Sequence, residues 1–290
     1  MKSSDVGLPQ HRTGTPSQPI RALALSCHPI PSVAVTVLSA GLAALAHLAP
    51  GRVALVAVAI ITGQLSIGWS NDYLDADRDR ATLRSDKPLA AGAIEPRVAG
   101  VAAVASLIST LALSAALGWP GGAAALTVVL CGWAYNLGLK GTVLSWLPYS
   151  VAFGMLPAVA TLSGSPSRWP AAWTLMAGAL LGVAAHLANV LPDLGDDVAT
   201  GIRGLPHRIG ARATALTAAA ILLSASAVTL FGPGGHPGPW RWAGFAAAVL
   251  VAGMAVHLAL GDPSSRRFFM AIILIAALDL VSFAVSGIRL

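Results

Sequence analysis

Charge is scarce in this chain. Only 10% of its 290 residues are Asp, Glu, Lys or Arg, against about 25% in a soluble domain. With 56% hydrophobic residues and a mean hydropathy of +0.73, that scarcity excludes an ordinary water-soluble domain and predicts an integral membrane protein. Cysteine is sparse too. Cys27 and Cys131 stand alone, with no CxxC pair and no Cys/His cluster, which argues against a disulfide framework and a structural zinc site. The basic residues are scattered singly without interleaved aromatics, so the net charge of +6 does not point to nucleic acid as a partner. Residues 1–20 are rich in Ser, Pro, Thr and Gln and lack the apolar run of a signal peptide. Residues 1–24 are therefore expected to form a disordered cytoplasmic tail, and residues 25–290 one integral membrane domain in the lipid bilayer.

A spanning helix needs about 20 largely apolar residues. Nine segments qualify: roughly 30–49, 53–72, 96–117, 121–138, 143–163, 170–191, 213–231, 240–260 and 268–287. Gly, Pro and charge mark the breaks, as at Pro50-Gly51 and Trp119-Pro120-Gly121-Gly122. Abundant Ala and Gly suit close helix packing in lipid. The expected fold class is all-α: a polytopic membrane protein of about nine transmembrane helices in one bundle around a central cavity. With nine spans, the N-terminus and the even-numbered loops share a side. Fourteen of the eighteen Lys and Arg residues fall there, and only Arg52, Arg168, Arg241 and Arg289 fall opposite. Basic residues favour the cytoplasmic side, so a multi-pass cell-membrane protein with a cytoplasmic N-terminus is expected.

Acid is scarcer than base and unevenly spread. Eight of the twelve carboxylates lie within 72–86 or 193–197, and none lies between Glu95 and Asp193. The first segment reads Asn71-Asp72-Tyr73-Leu74-Asp75-Ala76-Asp77-Arg78-Asp79, with Asp86 just beyond. The second reads Asn189-Val190-Leu191-Pro192-Asp193-Leu194-Gly195-Asp196-Asp197. Crowded carboxylates repel one another and are expensive to desolvate near a bilayer, so positive charge is expected between them. Residues four apart share a helix face, which places Asn71, Asp75 and Asp79 on one stripe with Asp72 beside it. Asn189, Asp193 and Asp197 repeat the spacing 118 residues later, although Pro192 should distort that helix. Duplicated halves would give such a pair. Hard oxygen ligands suit Mg²⁺, which uses one or two carboxylates plus substrate phosphates. Nearby Arg and Lys suit the remaining phosphate charge. Asp77, Asp86, Glu95 and Asp196 read equally well as solvated surface groups.

Asn71-Asp72-x-x-Asp75-x-x-x-Asp79 resembles the NDxxDxxxD signature of the UbiA-type intramembrane aromatic prenyltransferases. Arg84-Ser85-Asp86-Lys87-Pro88-Leu89-Ala90-Ala91-Gly92-Ala93-Ile94 is similar to the stretch that follows it in that family, and Asp193-x-x-x-Asp197 to the second signature, DxxxD. The resemblance implies Mg²⁺-dependent transfer of an isoprenyl group from an isoprenyl diphosphate donor to a small hydrophobic acceptor, aromatic or lipid alcohol, within the membrane. It implies two Mg²⁺ ions on the catalytic Asp72, Asp75, Asp79, Asp193 and Asp197, with the active-site loops cytoplasmic. It implies diphosphate contacts at Asn71, Arg84, Lys87, Lys140, Asn189 and Arg203, with Asn71 either touching phosphate or orienting a carboxylate. Two departures stand out. The family often has Tyr four residues before Lys on the loop between spans four and five, whereas Tyr135 and Lys140 are five apart. Lys followed by Ser or Thr is common after the second motif, where this chain has Arg203-Gly204-Leu205-Pro206.

Polar residues within the spans are further candidates. His186 shares a helical face with Asn189 and is placed to touch the acceptor or serve as its base, or else to bond a backbone carbonyl. Tyr135 is a cavity candidate or an interfacial tyrosine. Asp279 lies mid-span, where a carboxylate marks function or a structural pairing. Trp69 and Trp133 suit a cavity wall or interfacial anchoring, and His47 and His257 the core or interface. Two other activities fit the stripes: a terpene cyclase on the same scaffold, acting on the diphosphate alone, and a divalent-cation transporter. The transporter predicts acids near the bilayer midplane on a permeation path.

Overall fold

Proline opens most of the long helices. Its fixed φ and missing N–H are tolerated in a first turn, and Pro29, Pro50, Pro96, Pro120, Pro148, Pro206 and Pro239 each sit there. The computed structural model describes residues 17–84, 87–262 and 266–287. Its helices are α1 (Ser17–Ser26), α2 (Pro29–Leu45), α3 (Pro50–Ala81), α4 (Pro96–Ala116), α5 (Trp119–Asn136), α6 (Leu147–Leu162), α7 (Ala172–Val190), α8 (Leu194–Ala199), α9 (Leu205–Phe231), α10 (Pro239–Gly261) and α11 (Arg267–Ser286). Short 3₁₀ turns occupy Leu139–Gly141 and Leu191–Asp193.

α2 to α7 and α9 to α11 coincide in order with the nine apolar segments. Crossing is a stricter test. Among the described residues, six helices are long and apolar enough to span a bilayer alone, or seven if the α1–α2 pair, bent by 58°, is counted as one span. α6, at 16 residues, falls short of the length a bilayer asks of a straight helix. α1 begins inside the segment expected as tail. It is held there because the Leu23 carbonyl accepts a hydrogen bond from Trp69 Nε1 of α3 at 2.8 Å and Ala22 is buried. Residues 1–16, Asp86 and Arg289 lie outside the described residues.

The helices close into a ring. α2 packs on α3, α3 on α4 and α5, α5 on α6, α6 on α7, α7 on α9, α9 on α10, α10 on α11, and α11 back on α2. Missing side chains permit the close approaches. A Cβ at Gly182 of α7 would run into the Tyr149 backbone carbonyl of α6, the small-residue contact that packs helices in lipid. Gly182→Val is therefore expected to cost about 3 kcal/mol, seen as a lower melting temperature in detergent. Unchanged melting would show that α6 and α7 do not need this approach. Inside the ring lies a cavity of about 900 Å³ walled by α2, α3, α5, α6, α7 and α11.

Candidate active site

α3 continues unbroken to Ala81 and carries the first motif in its last turns. Asn71, Asp75 and Asp79 all face the cavity, as their spacing predicts, and Arg78 joins them. Asp72 does not line it. That carboxylate is 2% exposed and lies 3.0 Å from His28 Nε2 and 3.3 Å from Lys87 Nζ.

The second motif is broken where Pro192 removes an N–H. α7 stops at Val190, the 3₁₀ turn carries Pro192 and Asp193, and α8 carries Asp197. The stripe survives the break, since Asn189, Asp193 and Asp197 line the same cavity. Arg84, from the loop after α3, reaches Asp193 Oδ1 at 3.1 Å and Asp196 Oδ2 at 3.5 Å. The two motifs, 118 residues apart in sequence, thus meet at one end of the bundle.

Every cavity-facing carboxylate has a basic neighbour. Asp75 pairs with Arg78 at 2.6 Å and with Lys140, whose Nζ is 2.7 Å from Oδ2. Asp79 pairs with Lys87 at 2.9 Å, and Asp197 Oδ2 lies 3.1 Å from His207 Nε2. Burial disfavours the charge on both lysines. At Lys87, Asp72 and Asp79 outweigh it and hold the ammonium above the ordinary lysine range. At Lys140, burial prevails over Asp75 and the pKa is lowered.

Away from the acids the wall is mostly apolar, with Leu38, Val128, Leu156 and Leu280, and also carries Gln64 and Ser32. Tyr135 and Tyr149 stand between the two zones, edge to face with centroids 5.2 Å apart. Ile30, Val33 and Met270 line the cavity and remain about half exposed, so it opens sideways between α2 and α11. Those helices close further along, where Leu280 fills the space over Gly41.

Some expected residues lie elsewhere. Arg203 is exposed and does not reach the cavity; its carbonyl accepts Arg208 Nε at 3.0 Å. The cause is the path of the loop. Gly204 packs against the Lys140 carbonyl and Ser145, and the chain then presents His207 to the cavity. His186 is fully buried, 3.0 Å from Ser145 Oγ, and lies behind Tyr135 and Tyr149. Asp279 accepts a hydrogen bond from Ser226 Oγ at 3.3 Å, joining α11 to α9. Trp69 and Trp133 tie helices rather than line the cavity: Trp133 Nε1 donates to Ser66 Oγ at 3.0 Å. Sequence reasoning missed His28, Arg78, Asn136, His207 and Arg266, all on the cavity wall. Only Arg78 carried a signal, lying three residues after Asp75 on the same helix.

Comparisons with known proteins agree with this architecture. Residues 32–278 match the UbiA prenyltransferase family. A digeranylgeranylglyceryl phosphate synthase of Methanothrix thermoacetophila is 29% identical over 217 residues, covering 73% of this chain and 77% of that protein. The structure of a UbiA homologue from Aeropyrum pernix K1 superposes with a TM-score of 0.71 at 17% identity, covering 88% of this chain and 98% of that one. A UbiA homologue from Archaeoglobus fulgidus bound to DMAPP and Mg²⁺ superposes with a TM-score of 0.69 at 18% identity, covering 91% and 98%. The chain belongs to the UbiA prenyltransferase family and is a multi-pass membrane prenyltransferase.

Proposed function

We propose that this protein transfers an isoprenyl group from an isoprenyl diphosphate to a small hydrophobic acceptor, aromatic or lipid alcohol, with Mg²⁺, at the cytoplasmic face of the cell membrane. One observation carries the reading: four aspartates from the two motifs, with lysine, arginine and histidine partners, cap a cavity whose remaining wall is mostly apolar. Known relatives support the donor, since the Archaeoglobus fulgidus homologue has been seen with DMAPP and with GPP, each with Mg²⁺. The fourteen-to-four split of basic residues supports the orientation.

The donor set fits the metal. Among the described residues, no three His, Cys, Asp or Glu side chains converge into a ready-made cage. Oxygen donors divided between two walls suit Mg²⁺, which takes few protein ligands and completes its shell with phosphate and water. Asp75 and Asp79 on one wall, and Asp193 and Asp197 on the other, would hold two ions. Asp72 acts behind them, fixing Lys87 and His28. When bound, the metal neutralises charge developing on the leaving diphosphate. Arg78, Arg84, Lys87 and Lys140 already lie against the carboxylates and supply charged donors for phosphate oxygens. The apolar wall holds the isoprenyl chain and keeps water from the allylic cation. Tyr135 and Tyr149 put ring surface beside it. The sideways opening suits substrates that arrive from lipid.

Product mass spectrometry tests the reading. Purified protein, Mg²⁺ and donors of several chain lengths, set against phenols, quinone precursors and lipid alcohols, are expected to yield a prenylated acceptor. A cyclic hydrocarbon or alcohol formed from the donor alone would assign a terpene cyclase. Uptake of Mg²⁺ or Mn²⁺ into proteoliposomes without donor turnover would assign a transporter.

A further inference from the structure

Two asparagines at the cavity wall are joined in a fixed order of donors and acceptors. Ser70 Oγ donates to the Ile67 carbonyl at 2.9 Å, so its hydrogen is committed and its lone pairs remain. Asn136 is 5% exposed, and its Nδ2 donates to Ser70 Oγ and to the Ile67 carbonyl, both at 2.9 Å. Two acceptors on that side fix the amide. Turned over, it would set Oδ1 against a carbonyl oxygen with no proton between them. Asn136 Oδ1 therefore faces Asn71, and Asn71 Nδ2 donates to it at 3.1 Å. Asn71 lines the cavity, and the end of its amide not held by Asn136 is Oδ1.

We propose that Asn136 is a positioning residue: by holding Asn71 Nδ2 it turns the Asn71 Oδ1 toward the diphosphate site. The inference rests on the reading of that site given above. Asn71 then acts beside Asp75 as an oxygen donor to the divalent cation or to its water, and not as a phosphate contact. A neutral oxygen also adds no repulsion to four neighbouring aspartates. Without Asn136, the Asn71 amide is free to turn its NH₂ toward the cation.

The test is Mn²⁺ binding to the purified full chain with inorganic pyrophosphate, followed by electron paramagnetic resonance. Groups that orient a metal ligand change affinity about 10–100-fold. Asn136→Ala is expected to raise the apparent Kd for Mn²⁺ about tenfold, and to raise the KM for Mg²⁺ more than it lowers kcat. A variant pair at Asn71 decides the matter even if Asn136→Ala does not fold. Asn71→Asp keeps an oxygen and should bind Mn²⁺ more tightly than Asn71→Ala, whereas a phosphate-donating Asn71 predicts the reverse. Unchanged Mn²⁺ affinity in folded Asn136→Ala, or weaker binding by Asn71→Asp than by Asn71→Ala, overturns the inference. If Asp193→Asn still loses Mn²⁺ in that case, the diphosphate site stands without it. A wild-type protein that binds no Mn²⁺ with pyrophosphate overturns both.

Discussion

Asp193→Asn is expected to lower Mg²⁺-dependent diphosphate release by about a thousandfold, the upper scale for removing one preorganised group aimed at developing charge, while the protein stays folded. The choice of residue matters. Asp193 lies on the cavity wall with its side chain 33% exposed, and its partner Arg84 keeps Asp196 at 3.5 Å when the charge is removed. No buried cation is stranded. Asp75→Asn is different. Asp75 is 4% exposed and holds both Arg78 and Lys140, and Lys140 is only 11% exposed itself. Breaking a buried pair from one side costs about 3 kcal/mol or more, so that variant loses stability together with activity and cannot separate the two. Pyrophosphate release with and without Mg²⁺, measured beside the melting temperature, reads the Asp193 result. Wild-type turnover by Asp193→Asn would remove the second motif from the site and leave the enzyme reading without its facing wall.

What was legible in the sequence depended on local periodicity. Asn71, Asp75 and Asp79 fell on one face because four-residue spacing on an unbroken helix leaves little freedom. The second stripe survived even Pro192, because the 3₁₀ turn keeps the chain coiling in the same sense. Contacts that cross the fold were not legible. His28 meets Asp72 over 44 residues, and Ser226 meets Asp279 over 53. Nothing in either segment announces its partner. Arg203 and His207 show a third kind of failure. Both follow the second motif, and the path of a loop around Gly204 decided which one faces the cavity. The nine apolar segments were legible as helices, each appearing in its expected place. Bilayer crossing asks for length as well as apolarity, and among the described residues six helices, or seven counting the bent α1–α2 pair as one span, meet both.

The buried junction at Lys87 leads to an effect on stability that metal should reverse. Lys87 Nζ lies 2.9 Å from Asp79 and 3.3 Å from Asp72, and both carboxylates are almost fully buried. Lys87→Met removes the ammonium the two share and takes from Asp79 its close partner, while His28 remains beside Asp72. The cost is about 3 kcal/mol, the low end for stranding a buried charge, or a melting temperature lower by roughly 6–10 °C. Activity should fall about a hundredfold as a phosphate donor is lost. A divalent cation that binds Asp79 supplies the missing positive charge, and ligand binding to the folded state alone raises its stability by mass action. Mg²⁺ with inorganic pyrophosphate should therefore raise the melting temperature of Lys87→Met by more degrees than that of wild type, although turnover stays low. Detergent-solubilised protein followed by thermal unfolding, with and without the two ligands, measures both shifts. Equal shifts in variant and wild type would mean that the cation does not reach Asp79, and the first wall of the metal site would have to rest on Asp75 alone.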